Sequence, residues 1–371
     1  MNILAIDVGT GTQDILVFDS SGPIENSPKL VMPSPTVRAE RLIREATRTS
    51  TAVVLSGVLS GGGPCHWALG DHLRAGLPAF ATRDAARTFD DDLTQVEADG
   101  VTLVADDELT GIEGAHVTLR DLDLDSVRAA LDAFGAPTSF DGLALGVLDH
   151  GAAPPDVSDR IFRFEHIERV LSAEPDLRAF AFLPEDLPPT LTRARAVLDC
   201  VDVDAPTVFM DNGPAAALGA LHDSVVRERA AVLDAAAEGQ RIFVLNVGNM
   251  HALGFVLAGA HVEAVFEHHT GEVTTERLAA MVAELSAGTL TSEAVFDSQG
   301  HGALYVGDPP FDAAIVAVTG PRRAAVLPLL ERAHAAAPHG DMMMSGAFGL
   351  LDGFAYRVPV AQEAVAQIHK S

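Results

Sequence analysis

Short apolar runs, separated by turns of small residues, open each half of the chain. The first unit has apolar runs at residues 2–6 and 13–18, joined by a turn rich in glycine and threonine. A second copy has apolar runs at residues 241–246 and 251–257, joined by a turn at 247–250. Runs of this length and spacing predict strands. The chain therefore begins each half with a strand-turn-strand unit.

The elements that follow each unit also repeat. The pattern predicts a helix at 37–48, a strand at 51–55, a helix at 65–75, a strand at 77–81 and another helix in the first half. It predicts helices at 274–287 and 291–296, a strand at 313–318, a helix at 324–336, a strand at 341–344 and a last helix near Phe348 in the second. Two related α/β halves place a ligand between them. We predict domains at 1–222 and 223–371, with an α+β region inserted at about 84–141.

The first turn carries residues suited to a phosphate. Gly9 and Gly11 leave backbone N–H groups open to a ligand, and Thr10 and Thr12 add hydroxyl donors. The flanking carboxylates Asp7 and Asp14 suit a hydrated magnesium ion. A metal-bound nucleotide satisfies both features, whereas the alternative is an ordinary hairpin with a small-residue tip.

Five motifs in order resemble the actin, Hsp70 and sugar kinase superfamily. The first and second phosphate loops match residues 6–12 and 246–251, and the connecting helix matches 211–220. The adenosine loop matches 318–322, and the start of the last helix matches 345–349. The resemblance implies an actin-like ATPase fold of two ribonuclease H-like domains with a nucleotide cleft between them, and the cofactors ATP and Mg²⁺.

The resemblance also implies roles for particular residues. Asp7 and Asp14 would hold the metal, and Asp7, Asp149, His150 and Asp211 are the catalytic candidates. The candidate nucleotide-binding residues are Gly9, Thr10, Gly11, Thr12, Gln13, Asn246, Gly248, Asn249, Thr319, Gly320 and Pro321.

More narrowly, three motifs resemble a branch labelled pyruvate formate-lyase activating protein. They are the glycine run at 61–64, the Asp149-His150-Gly151 motif and the stretch 211–214. A radical-generating activator of that kind needs three closely spaced cysteines for an iron–sulfur cluster. The chain has only Cys65 and Cys200, so we expect two buried thiols and no radical chemistry.

The departures from the superfamily leave two functions open. Asn246 stands where the second loop usually has an aspartate, which weakens metal binding, and Asn212 lies where chaperone-like members have a glutamate. The first hypothesis is a magnesium-dependent ATPase or small-molecule kinase. The second is a nucleotide-gated regulator of a protein client, with little turnover.

Charge excludes several partner classes. The sequence has 52 acidic residues against 25 Lys and Arg, a formal charge of −27. Nucleic acid and anionic membranes need clustered cations, so neither is expected as a partner. The first apolar run ends at Asp7, which argues against a signal peptide or a membrane span and favours the cytoplasm. The oligomeric state, the phosphoryl acceptor and salt adaptation of the source stay open.

Several residues have both a functional and a structural interpretation. Asp149 and His150 follow a buried strand at 142–148, where they could act on a ligand, or could cap a turn and pack beneath a loop. The glycine run at 61–64 could approach phosphate or simply join a strand to a helix.

His268 and His269 have no acidic or cysteine partner nearby in sequence, so a metal site is not expected there. Three methionines at 342–344 suggest core packing.

Overall fold

The computed structural model describes residues 1–59, 63–90, 92–154, 156–236 and 241–368. Strands and helices alternate along these ranges. The strands are β1 (Asn2–Val8), β2 (Thr12–Asp19), β3 (Lys29–Pro33), β4 (Val53–Val58), β5 (Ala79–Ala81), β6 (Val101–Leu103), β7 (Ala115–Arg120), β8 (Gly142–Val147), β9 (Ala181–Phe182), β10 (Thr207–Asp211), β11 (Arg241–Val247), β12 (His251–Ala258), β13 (His261–His269), β14 (Gly300–Tyr305), β15 (Ala313–Thr319) and β16 (Ala333–Ala335). The helices are α1 (Pro35–Arg48), α2 (Gly63–Arg74), α3 (Arg83–Ala86), α4 (Leu93–Ala98), α5 (Leu124–Asp132), α6 (Asp159–Ala173), α7 (Thr192–Asp199), α8 (Asn212–Ala220), α9 (Ser224–Ala236), α10 (Thr275–Ala287), α11 (Ser292–Asp297), α12 (Ser345–Arg357) and α13 (Gln362–Val365).

Two six-stranded sheets share the order and directions of five strands, and the sixth strand, β9 in one and β14 in the other, lies antiparallel at opposite edges. The first has the order β3-β2-β1-β8-β10-β9, and the second has the order β14-β13-β12-β11-β15-β16. In each sheet, three consecutive antiparallel strands lie beside two strands that run parallel to the first of the three. This is the ribonuclease H-like order, formed twice. The prediction of an α/β fold with two related halves is confirmed.

Strand register sets what lies beside each turn. In the first hairpin Asp7 is opposite Asp14, and in the second Asn246 is opposite Leu253. Val147 at the end of β8 pairs with Val8 on one side and with Asp211 on the other. Because parallel strands end at the same edge of a sheet, the segments after β8 and β10 emerge next to the first turn.

The third sheet is parallel throughout and has its own core. Its order is β6-β5-β4-β7, and buried side chains of α1 to α4 pack against it. It includes β4 and β5, so it begins well before the predicted insertion at 84–141. Buried parallel strands have the same apolar pattern whichever sheet they join, so the apolar pattern does not show where this sheet begins.

Two predicted elements near the C-terminus are wrong. The predicted helix at 324–336 is a pair of 3₁₀ turns at Arg323–Ala325 and Leu327–Leu329, followed by β16. Pro328 cannot donate the hydrogen bond that a continuing α-helix needs. The predicted strand at 341–344 is a 3₁₀ turn over Met342–Met344, where the Asp341 carboxylate accepts from the Met343 N–H at 3.1 Å.

The main core lies between the two six-stranded sheets, where α8 and α12 cross. The helices approach closely because each has a glycine at the crossing. A Cβ atom on Gly219 would overlap the Ser345 carbonyl oxygen, and one on Gly349 would overlap the Ala215 carbonyl oxygen. Within the described ranges, no helix combines the length and apolar character that a membrane span requires.

We expect Gly349→Ala to destabilise the protein by about 1–3 kcal/mol, because the new methyl group has to push the two helix backbones apart. Urea unfolding followed by circular dichroism measures the change. Gly70→Ala is the matched control, since Gly70 also lies in a helix but a Cβ there would meet only the flexible end of Arg74. Alanine should be neutral or slightly stabilising at that position. Equal stability of Gly349→Ala and wild type would contradict the close crossing.

Candidate functional site

A cavity of about 370 Å³ lies between the two six-stranded sheets, and the segments predicted as loops line it. The two turns at its mouth have the same construction. The Gly9 N–H donates to the Thr12 carbonyl oxygen at 2.9 Å, and the Gly248 N–H donates to the His251 carbonyl oxygen at 2.9 Å. In each turn, the N–H group of a glycine thus donates the hydrogen bond that closes the turn.

The two turns lie against each other beside the cavity. A Cβ atom on Gly11 would lie 2.6 Å from the Asn249 side-chain nitrogen, and one on Gly63 would lie 3.0 Å from the Thr10 methyl group. Gly63 begins α2 and lines the cavity together with Thr10 and Asn249. Gly61 and Gly62 of the predicted glycine run lie outside the described residues. The cavity mouth is therefore formed by polar and small groups from both halves.

Two carboxylates line the cavity without full hydrogen bonding. Asp7 Oδ1 and Asp14 Oδ1 are buried and have no hydrogen-bond partner among the described residues. Burial raises the pKa of Asp7 to about 7, and burial together with the Asp7 charge raises the pKa of Asp14 to about 8. Two adjacent carboxylates with unsatisfied oxygens fit a divalent cation, which would neutralise both.

The opposite wall comes from the segment after β15. Thr319, Gly320 and Pro321 line the cavity, and the Thr319 hydroxyl lies 3.0 Å from the Ser345 hydroxyl. Gly320 has φ +92°, and a Cβ there would collide with the Val247 carbonyl oxygen. Only glycine allows the backbone to run this close to the second turn.

Met342 and Met343 also line the cavity, so of the three methionines predicted as core only Met344 is buried.

Other predicted nucleotide-binding residues divide into two groups. Gly9, Thr10, Thr12, Asn246, Gly248 and Asn249 line the cavity. Gln13 instead donates its side-chain N–H to the Pro33 carbonyl oxygen at 3.1 Å, which ties β2 to β3. Neither Gln13 nor Gly11 is among the lining residues.

Asp149 and Asp211, two of the predicted catalytic residues, are held by the protein itself. The Asp149 carboxylate accepts from the backbone N–H groups of Gly151, Arg193 and Ala194, each at 2.9 Å. Burial raises the pKa of Asp149 despite these bonds. Asp211 caps α8 by accepting from the Gly213 N–H at 3.0 Å. Neither residue lines the cavity. The carboxylate of Asp149 caps a turn, as the structural interpretation of the sequence expected.

Asp211 also takes part in a buried charge cluster that joins the two halves. Arg163 on α6 is fully buried and donates to Asp211 and, at 3.1 Å, to Glu267 on β13. It also donates to the Asp149 carbonyl oxygen at 3.3 Å. Arg163 Nη2 and Glu267 Oε1 have no partner among the described residues. One cation therefore serves two buried carboxylates, a net charge of −1.

His150, the remaining catalytic candidate, belongs to a cluster of four imidazoles. It meets His251, His269 and His301, and the four candidate ligand atoms lie within 4.8 Å of one another. His150 Nε2 is 3.2 Å from His251 Nε2 and 3.4 Å from His301 Nε2. His150, His251 and His269 line the cavity. We name these four side chains the histidine cluster.

Burial keeps most of the cluster uncharged. Desolvation, with smaller contributions from neighbouring cations and imidazoles, lowers the pKa of His150 well below its usual value. The same causes lower the pKa of His301 to about 2. The pKa of His251 also falls well below its usual value, by burial first and then by the neighbouring His150. Neutral imidazoles offer lone pairs.

Sequence reasoning missed His251 and His301, and it judged a metal at His269 unfavourable. Four separate segments supply the cluster, so no spacing motif exists. One signal was present in the duplication, because His251 occupies in the second hairpin the position that Thr12 occupies in the first.

The cysteines do not fit an iron–sulfur cluster. Cys65 is buried in the core of the four-stranded sheet, whereas Cys200 is only partly buried and packs against a different core. The prediction of two buried thiols is thus right for Cys65 and wrong for Cys200. Three neighbouring thiolates are required for the cluster of a radical-generating activator, and two cysteines cannot supply them.

Comparisons with solved structures give distant likenesses over nearly the whole chain. The activator of the 2-hydroxyisocaproyl-CoA dehydratase from Clostridium difficile with bound ADPNP is 9% identical, with 98% of each chain covered and a TM-score of 0.33. ROK hexokinase from Thermus thermophilus is 12% identical, covering 94% of this chain and 97% of that chain, with a TM-score of 0.31. A PilM-PilN type IV pilus biogenesis complex is 11% identical, covering 98% and 99%, with a TM-score of 0.35. Sequence identities and TM-scores this low carry no information about the function of the chain.

A search of the curated proteins found no match to this sequence. A family model described as "Putative pyruvate format-lyase activating enzyme (DUF1786)" matches residues 60–325, which is more than half of the chain. That match includes the second turn, the histidine cluster and the segment after β15, and the chain therefore belongs to the DUF1786 family.

Proposed function

We propose that the protein binds Mg-ATP in the cleft and transfers the γ-phosphoryl group to water or to a small-molecule hydroxyl. The observation that carries this proposal is the pair of glycine turns that meet beside the cavity, one from each half. The Gly9 and Gly248 N–H groups close the turns themselves, so the N–H groups of the residues that follow each glycine would meet an anion. A triphosphate between them would be held from both sides.

Asp7 and Asp14 are the residues that would hold the magnesium, directly or through its water molecules. Their unpartnered oxygens support this role. The ion would neutralise charge on the phosphates, and the protein would mainly position the reacting groups. The adenosine would lie against Gly320 and Pro321, which line the cavity.

The geometry changes the proposed roles of the other acidic residues. Asp149 and Asp211 act as positioning residues, because their oxygens are occupied by backbone N–H groups and by Arg163. Asn212, which lines the cavity and donates to the Val8 carbonyl oxygen at 3.3 Å, is better placed to meet a ligand. The acceptor hydroxyl or water would approach from the side of His150.

A nucleotide-gated regulator is the second candidate function, and the asymmetry of the two hairpins favours it. Asn246 and Leu253 replace in the second half the carboxylates Asp7 and Asp14 of the first. The ion would therefore have anionic ligands from one half only, which suits binding and domain closure better than rapid turnover. A protein client would then respond to the closed form.

Isothermal titration with Mg-ATP, followed by phosphate release in the same sample, tests both functions. Binding with release supports the ATPase or kinase, and binding without release supports the regulator. Absence of binding by the wild-type protein contradicts both.

We expect Asn249→Asp to weaken Mg-ATP binding at least about tenfold, or 1.4 kcal/mol, because a carboxylate would then face the phosphates across the cavity mouth. The side chain keeps its size, so the fold should not change. Asn26→Asp is the matched control, since Asn26 is exposed in a 3₁₀ turn. Equal affinities of the Asn249 variant and wild type would place the phosphates elsewhere.

A further inference from the structure

We propose that the histidine cluster binds one divalent first-row transition-metal ion, with zinc as the best fit. This site is separate from the carboxylate pair at Asp7 and Asp14 and does not depend on the proposed function. The cluster consists of His150, from the segment after β8, and of His251, His269 and His301, from β12, β13 and β14.

The spacing of the nitrogen atoms matches a tetrahedral site. A zinc–nitrogen bond of about 2.0–2.1 Å places two ligand nitrogens about 3.4 Å apart at the edge of a tetrahedron. The observed Nε2 separations from His150 are 3.2 Å to His251 and 3.4 Å to His301. With all four ligand atoms within 4.8 Å, small side-chain rotations bring the set around one ion.

The surroundings of the cluster explain why a metal suits it better than hydrogen bonding alone. The rings meet one another, and the contacts recorded between them join nitrogen to nitrogen, so at most one nitrogen of each pair can carry the shared proton. A metal ion at the centre of the cluster would accept the converging lone pairs of several rings at the same time.

Outer contacts also have the form found around metal-bound histidines. The His269 Nδ1 lies 3.0 Å from the Gln299 carbonyl oxygen, which fixes Nδ1 as the protonated nitrogen and leaves the Nε2 lone pair free. The Glu267 carboxylate favours positive charge beside His251, where it opposes the lowering of that pKa, whereas Arg163 acts in the other direction on the pKa of His150. Four imidazoles without a thiolate favour zinc, copper, iron or nickel over magnesium or calcium.

The test uses the purified full-length chain, stripped with a chelator and then titrated with ZnCl₂ in excess MgCl₂. Elemental analysis after gel filtration gives the stoichiometry, and competition with a zinc-binding dye gives the affinity. We expect one zinc per chain. In a parallel titration, CoCl₂ should give the intense visible absorption of tetrahedral cobalt.

His269→Gln is the first variant, because His269 is only partly buried and its loss leaves the core intact. His150→Gln is the second and removes the ligand from the other half. Changes outside the ligand set typically weaken metal binding 10–100-fold, so loss of a ligand should weaken zinc binding about 100-fold or more. His116→Gln, at an exposed histidine, and Asp7→Asn, at the carboxylate pair, should both retain one zinc.

Each outcome decides the proposal. One zinc per wild-type chain, lost in both cluster variants and kept in both controls, supports it. Failure of the wild-type chain to bind zinc overturns it, as does unchanged affinity in either cluster variant. Loss of zinc in Asp7→Asn alone would move the ion to the carboxylate pair and also overturn it.

Discussion

Asp7→Asn is expected to lower the rate of phosphate release by about 10²–10³-fold and to abolish its dependence on magnesium. Removing a preorganised electrostatic group at a reacting centre typically has an effect of this size. Asparagine keeps the shape of the side chain and removes the charge that would hold the ion. Phosphate release at saturating ATP, measured across a magnesium titration, gives the result.

The same variant should fold as well as wild type without metal. Burial raises the pKa of Asp7 to about 7, so the carboxylate is already disfavoured there in the absence of a cation. A neutral amide removes that unfavourable charge. Asp19→Asn, at the far end of the same hairpin, is the control and should leave the rate and its magnesium dependence unchanged.

Unchanged turnover and an unchanged magnesium dependence in Asp7→Asn would remove Asp7 from the site. If the wild-type protein binds ATP without releasing phosphate, the readout is the magnesium-dependent rise in melting temperature caused by ATP. That rise should disappear in Asp7→Asn and persist in Asp19→Asn.

The second large effect is expected for Arg163→Met, which should lower the free energy of unfolding by about 3–5 kcal/mol. The change leaves Asp211 and Glu267 buried without their shared cation, and removing one partner of a buried ion cluster has a cost of this order. Urea unfolding, followed by fluorescence and circular dichroism, measures the change.

Two further variants make that prediction specific. Arg169→Met lies on the exposed face of the same helix and should stay within about 0.5 kcal/mol of wild type. Adding Glu267→Gln to Arg163→Met should restore part of the lost stability, because one of the stranded charges is gone. An Arg163→Met protein as stable as wild type would show that the cluster does not hold α6 between the halves.

The duplicated architecture could be predicted from the sequence because its signals are local. The strand-turn-strand units appear as alternating apolar runs and small residues, and the structure has hairpins at both positions. Each turn has a glycine where the backbone closes on itself, and a Cβ on Gly248 would lie 2.9 Å from the His251 carbonyl oxygen. The adenosine loop was predicted from its resemblance to the superfamily motif at 318–322.

Features that depend on distant residues could not be predicted in this way. The number of bonds that Asp149 accepts depends on α7, which begins more than forty residues later. The histidine cluster comes from four segments, and His251, His269 and His301 each look like an ordinary strand residue when taken alone. The boundary of the third sheet depends on which strands pair, and pairing is a tertiary property.

The distribution of the histidine cluster over the two halves has a mechanical consequence. Opening the cleft must separate the His150 ring from the three rings contributed by β12, β13 and β14. An ion bound by all four rings would therefore hold the two halves together. By thermodynamic linkage, a ligand that pulls the halves together must tighten the ion's binding by the same factor by which the ion tightens the ligand's.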